Sequence, residues 1–398
     1  AIFLIQNQRH HLSPLHRDFC LFFGLLCILL PMLAFNIFKI IPGLANVFVC
    51  LGTAIIIVFA NPASILGRIL RMRFLVLVGL MSYSLYLWHQ PLLAFLRIMS
   101  LEQPNSVSLI LCFFLTFPIA FLSWKFENFF RHTASSKFFV SFVAIGILIS
   151  LIAGALFVKT SGFYQYYPEL QSTYSSSEFL ESNNPHQKFL ISASSNLQNG
   201  FTAPHLKNLV IMGDSFSSDL INMIKVNNFL EDFEIVKPKY NCVNFDDVNS
   251  DAFDLISQSD LILITYRVLR NSSQKECLTQ KIQLLLDLDK KFIVIGPKDF
   301  GYNLNAPLKK KLYKFSAQPI EEIITFNSYL KNLIPAENFI DFLSVLGGSN
   351  AERRIPLFTN NQKLISYDKA HLTYDGAVTF GHILFSDTKF LNYIRSSY

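Results

Sequence analysis

Near residue 160 the pattern of apolar positions changes character. Before it, long apolar runs occupy about 19–38, 44–60, 74–98, 108–124 and 138–158, each near the ~20 residues that an α-helix needs to cross a hydrocarbon core. Pro31, Pro91 and Pro118 fall inside three of these runs, which bundled membrane helices tolerate when neighbours satisfy the freed carbonyls. From Thr160 to about Pro204 the chain turns to Ser, Tyr, Asn and Gln without an apolar period, as a linker does. Beyond it, short apolar blocks at Leu209–Met212, Leu261–Ile264 and Phe292–Ile295 alternate with amphipathic stretches such as Thr279–Leu288. Short buried strands separated by helices imply a parallel sheet with helices on both faces. The pattern therefore predicts an α-helical membrane domain of five spans, followed by a three-layer α/β domain. No internal repeat is visible.

Charge sharpens this division. The chain has 398 residues, of which only 16% are charged and 51% hydrophobic, and its mean hydropathy of +0.35 is high for a water-soluble protein. Residues 1–160 hold 11 Lys/Arg against 3 Asp/Glu, and the rest hold 23 against 25. The net +6 thus belongs to the apolar part, and no evenly basic surface suits nucleic acid. Arg9 and Arg17, then Arg68, Arg71 and Arg73, then Lys125, Arg131 and Lys137 mark alternate loops, while the intervening loops hold only Lys39 and Arg97. The positive-inside rule puts the marked loops in the cytoplasm and everything after Lys159 on the far side. Four cysteines (20, 27, 50 and 112) lie in apolar runs and two, Cys242 and Cys277, in the polar part. No pattern suits zinc, and the polar pair could form one disulfide in an exported domain. The chain starts at Ala1 and lacks the regions of a signal peptide, so a truncated or processed start is expected.

Two short strings carry the candidate chemistry. Val210-Ile-Met-Gly-Asp-Ser-Phe-Ser-Ser-Asp219 runs from a strand into a helix. That turn holds the Ser215 hydroxyl at the carboxyl edge of the sheet, with helix N–H groups free to receive an oxyanion. Tyr367-Asp-Lys-Ala-His-Leu-Thr-Tyr-Asp-Gly376 presents Asp368 and His371 three residues apart on one local turn. The pair supplies a general base and its orienting carboxylate, with Ser215 as nucleophile.

The order of these strings resembles the SGNH (GDSL-type) hydrolase and acetyltransferase superfamily. Ser82-Tyr-Ser-Leu-Tyr-Leu-Trp-His-Gln-Pro-Leu-Leu93 resembles a late-helix motif of the acyltransferase-three family of membrane O-acyltransferases, and Trp124-Lys-Phe-Glu-Asn-Phe-Phe-Arg131 resembles the stretch that follows it. In the fused subgroup one further helix leads to a periplasmic SGNH domain. The resemblance implies a partial acyltransferase membrane domain at 1–137, a linking transmembrane helix at 138–158, a periplasmic linker at 159–204 and an SGNH-like domain at 205–398. It implies a multi-pass protein of the bacterial inner membrane. Acetyl-CoA is the implied acyl donor, with no bound cofactor or metal, and Ser215, Asp368 and His371 are the implied nucleophile, orienting acid and base. The implied acceptor is a cell-envelope glycan such as lipopolysaccharide O-antigen.

Departures from the family pattern are also legible. Its oxyanion-hole Gly and Asn have no plain counterpart, and Asn241, Asn244 or a backbone amide near Tyr266 could donate instead. The family's early helices are missing, so a separate chain carrying them is a further expected partner beside membrane lipid. A membrane-tethered SGNH carbohydrate esterase and a non-catalytic remnant stay open as alternatives. His89 suits either a cavity or a helix end. Arg68, Arg71 and Arg73 read as topology signals that could also meet a pyrophosphate, Lys309–Lys311 as a solvated helix face, and His382 as structural.

Overall fold

The structure is a computed structural model that describes residues 14–33, 42–60, 64–133, 135–160, 185–195, 199–238, 250–347 and 354–395, with 162, 166–169 and 197. Two compact units are distinguished, Ala1–Leu93 with Leu109–Phe139 and Ala94–Ser108 with Val140–Tyr398.

The first part is helical: α1 (Pro14–Leu33), α2 (Pro42–Phe59), α3 (Ile65–Leu70), α4 (Arg73–Leu80), α5 (Ser82–Met99), α6 (Ser106–Thr133) and α7 (Ser136–Lys159). Two stretches among the described residues are long and apolar enough to cross a membrane, Ser106–Arg131 and Lys137–Lys159. Phe142, Ile145, Leu148, Ile152 and Leu156 of the second are half or nearly half exposed. Such an all-round apolar surface needs lipid around it. The chain is a membrane protein.

Five spans were expected, so this is a correction with local causes. The run at 74–98 is broken at Met81, where φ −97° and ψ 8° end α4, and α5 begins anew at Ser82. The run at 19–38 is helical to Leu33, and residues 34–38 lie outside the described residues. The run at 44–60 lies in α2 (Pro42–Phe59), whose apolar stretch among the described residues is Asn46–Phe59. α1 and α2 nonetheless pack closely, because Gly24 and Gly52 face each other. A Cβ added at Gly52 would stand 2.4 Å from the Gly24 carbonyl oxygen, the close approach that small residues permit between membrane helices.

The second part is built on β1 (Lys207–Gly213), β2 (Phe233–Val236), β3 (Leu261–Thr265), β4 (Phe292–Ile295), β5 (Ser316–Ala317), β6 (Phe339–Ile340) and β7 (Ile355–Pro356). Its helices are α8 (Pro185–Ser195), α9 (Ser215–Val226), α10 (Ser250–Gln258), α11 (Ser272–Asp287), α12 (Asn305–Lys309), α13 (Glu321–Leu333), α14 (Phe342–Gly347), α15 (Tyr374–Phe385) and α16 (Thr388–Arg395). Five strands form a parallel sheet in the order β2-β1-β3-β4-β6, and β5 pairs antiparallel with β7. The two-residue period of the strands divides the core. Leu209, Ile211, Leu261, Leu263, Ile293 and Ile295 meet α9, α15 and α16 on one face. Val210, Met212, Ile262, Ile264, Phe292 and Val294 meet α11 and α13 on the other.

The stretch expected as a linker contributes to this core. Phe189 and Ala193 of α8 are buried in it, and Tyr313 donates a hydrogen bond to Glu169. Cys277 is disulfide-bonded, whereas Cys242 lies outside the described residues.

Candidate active site

The chain runs from β1 to β2 on one side and to β3 on the other, which makes the β1/β3 crevice the topological switch point where open α/β sheets bind ligands. Gly213 ends β1 opposite Thr265 of β3. Its φ of +143° and the Thr265 oxygen only 1.8 Å from where a Cβ would sit admit glycine alone. Asp214 then caps α9. One carboxylate oxygen accepts from Phe216 N–H at 2.9 Å, while the other crosses the crevice and accepts from Arg267 N–H at 2.9 Å. Ser215, the first residue of the helix, is left exposed at the sheet edge.

The opposite wall is the turn at 366–373, closed by the antiparallel Ser366–Leu372 bridge. Lys369 takes a φ of 71° there. One Asp368 oxygen accepts from Ala370 and His371 N–H at 2.9 and 2.8 Å. The other lies 2.6 Å from His371 Nδ1. A carboxylate only accepts, so Nδ1 carries the proton and Nε2 is the basic nitrogen. Ser215 Oγ donates to it over 2.7 Å. All three residues singled out in the sequence are therefore brought into one hydrogen-bonded chain, across 156 residues of sequence.

Oxyanion donors follow from the same geometry. Phe216 N–H is taken by Asp214 Oδ1 and Ser217 N–H by the Asp214 carbonyl. Ser215 N–H, the first of α9, has no intrahelical acceptor, as is general for N-terminal amides. Of the donors weighed in the sequence, Asn241 and Asn244 lie outside the described residues, and the amide after Tyr266 is committed to Asp214.

Two lysines near the site were missed. Lys237, just past β2, donates to Ser218 Oγ at 2.8 Å, and burial pushes its ammonium below the usual lysine range. Lys298 is 3% exposed and pairs at 2.7 Å with Asp219, itself fully buried. Both lysines follow sheet strands at the carboxyl edge, a position the sequence pattern could have flagged. Asp299 is held above the usual carboxylate range by burial, against hydrogen bonds from Gly301 and Ile320 N–H.

The remaining candidates stand elsewhere. His89 Nδ1 donates to the Tyr86 carbonyl of its own helix at 2.5 Å. Arg68, Arg71 and Arg73 are exposed around α3 and α4. Lys309–Lys311 end α12 in solvent, and His382 is exposed in the last turn of α15.

No family model matches the chain. The peptidoglycan O-acetyltransferase OatA of Listeria monocytogenes serovar 1/2a is 38% identical to it over 77 residues, a match that covers 19% of this chain and 12% of that protein. What this likeness supports is a relationship to an O-acetyltransferase, through one segment of the chain.

Proposed function

We propose that the chain transfers an acyl group, acetyl in the first instance, to a hydroxyl of a cell-envelope glycan through an acyl-Ser215 intermediate. The observation that carries this reading is the Asp368–His371–Ser215 hydrogen-bonded chain, with distances of 2.6 and 2.7 Å. His371 Nε2 takes the hydroxyl proton as Ser215 Oγ attacks the acyl carbon, and then gives it to the departing group. Negative charge on the carbonyl oxygen falls beside Ser215 N–H, and Asp368 stabilises the imidazolium. In the second half His371 takes a proton from the acceptor hydroxyl, whose oxygen attacks the acyl-serine. The bond to Ser215 breaks and its hydroxyl is restored.

The likeness to a peptidoglycan O-acetyltransferase supports a glycan acceptor. Peptidoglycan and lipopolysaccharide O-antigen are the two acceptors to test, and acetyl-CoA on the cytoplasmic side is the donor in this reading. Orientation follows from the two apolar spans. Lys125, Arg131 and Lys137 cluster around the turn between them, and by the positive-inside rule this supports a cytoplasmic turn and, in this reading, an α/β domain on the periplasmic side of the inner membrane. A disulfide-bonded Cys277 suits that oxidising side.

A tethered esterase is the second reading, favoured by the exposure of Ser215, which leaves an acyl-serine open to water. The test uses the detergent-solubilised chain with a chromogenic acetyl ester, with and without glycan acceptor. Transferase chemistry yields acetylated glycan at the expense of free acetate, whereas an esterase releases acetate at an unchanged rate. Ser215→Ala should lower turnover by about 10⁴-fold or more. A folded variant that retains wild-type turnover would remove Ser215 from the reaction.

A further inference from the structure

The buried pair beneath the site has no part in the proton transfers above. Asp219 stands four residues after Ser215 on α9 and is fully buried. Its Oδ1 accepts from the N–H of Leu372, the residue after the base His371, at 3.1 Å. Its Oδ2 pairs with Lys298 at 2.7 Å. Lys298 Nζ in turn sits 3.4 Å from the centroid of the Phe216 ring, and that ring meets the His371 imidazole edge-on at 6.1 Å. The segment bearing Lys298 is also tied to the histidine turn, because Phe300 N–H donates to the Lys369 carbonyl at 3.2 Å and Lys369 Nζ to the Tyr302 carbonyl at 2.7 Å. A cavity of only about 10 Å³, lined by Phe216, Thr265, Gly296 and Lys298 among others, adjoins the ammonium. That is barely the room one water needs.

Burying two charges is expensive, and apolar replacements of such a pair are often as stable or more so. Stability alone is therefore a poor reason for this pair. What it does uniquely is join three segments, namely the helix that carries Ser215, the turn that carries His371 and the loop after β4. The geometry points to Asp219 and Lys298 as positioning residues for the acyl transfer proposed above: the ion pair fixes the register of the His371 turn against α9, and so the Ser215–His371 hydrogen bond. The inference rests on that reading of the site.

The loss of an ångström in such a register costs on the order of 10²-fold in rate. The test compares Lys298→Met, Asp219→Asn and the double variant in the full detergent-solubilised chain, with a chromogenic acetyl ester as probe. Each single variant leaves a buried polar group unpaired, and its melting temperature should fall. The double variant changes no net charge and keeps an acceptor for Leu372 N–H, so its melting temperature should recover in part, with only the introduced amide N–H₂ left without a partner. If the pair positions the base, the folded double variant should still turn over about 10²-fold more slowly, with KM within a few-fold of wild type.

A pH profile separates this from a general loss of folded protein. The charged groups near His371 are Asp368 and Lys369 on its own turn, Asp214 at the cap of α9, and the buried Asp219 and Lys298. Since the double variant preserves their net charge, movement of its acidic limb would report a changed Asp368–His371 contact. A folded double variant with wild-type turnover and an unmoved limb overturns the inference. A wild-type chain that neither cleaves the ester nor reacts with an organophosphonate at Ser215 overturns the acyl-serine reading instead.

Discussion

Single residues set the character of this domain where the sheet ends. Gly213 is glycine because the β1/β3 crevice leaves no space for a Cβ, and Asp214 spends both carboxylate oxygens on amides from two different segments. The exposed serine that follows is thus held by backbone geometry. Elsewhere a single lysine works against stability. Burial on α11 lowers Lys281 from 10.5 to about 8. Between those values the unfolded chain binds a proton that the folded chain does not, so stability rises with pH through the window and the full penalty applies below it. Lys281→Met should therefore raise domain stability at pH 7 by about 1–3 kcal/mol, and the gain should vanish above about pH 10.5. Thermal unfolding of both forms at pH 7 and pH 10.5 checks this. A pH-independent difference would contradict it.

At the scale of elements, the α1/α2 pair depends on how closely two backbones approach. A Cβ on Gly52 would lie 2.4 Å from the Gly24 oxygen and 2.9 Å from Cys27 Cβ. Gly52→Leu cannot be accommodated without separating the helices, and such overpacking costs about 1–3 kcal/mol. Cys27 is buried and Cys50 exposed on these same helices. Maleimide labelling of Cys27 in detergent should therefore become several-fold faster in the variant, while Cys50 serves as the internal control. Unchanged Cys27 labelling would mean that the pair does not depend on this contact. In the α/β domain the corresponding device is the parallel register of β1 with β3, which puts Ser215 at the switch point whatever the helices around it do.

For the whole molecule, the central property is the joining of apolar spans to an α/β domain. Lys363 Nζ donates to the Pro168 carbonyl at 2.9 Å, and Leu364 N–H to the Glu169 carbonyl at 3.0 Å. The domain is thus fastened to the chain only a few residues after α7 ends at Lys159. A reporter that is active only outside the cytoplasm should be active when fused after Val158 and silent when placed in the 132–136 turn. The reverse pattern would place Ser215 on the cytoplasmic side and remove the need for any transmembrane passage of the acyl group.

Periodicity alone determined the division into apolar helices and a parallel α/β domain. Strands such as Leu261–Thr265, buried along their whole length, can only be continuous apolar blocks. The two strings around Ser215 and around Asp368 and His371 were legible for a similar reason, since capping and local turns are short-range. Tertiary structure decided the rest. Whether 156 residues of intervening chain close the 2.7 Å gap between Ser215 and His371 depends on strand order, which no local pattern encodes. The break of the 74–98 run at Met81 is equally hidden, because Gly79, two residues before it, is a residue that membrane helices commonly carry without ending. The pattern can place Lys298 just past a strand, but only the folded chain brings Asp219, four residues past the serine, against it, because the partner of a buried charge is chosen by packing.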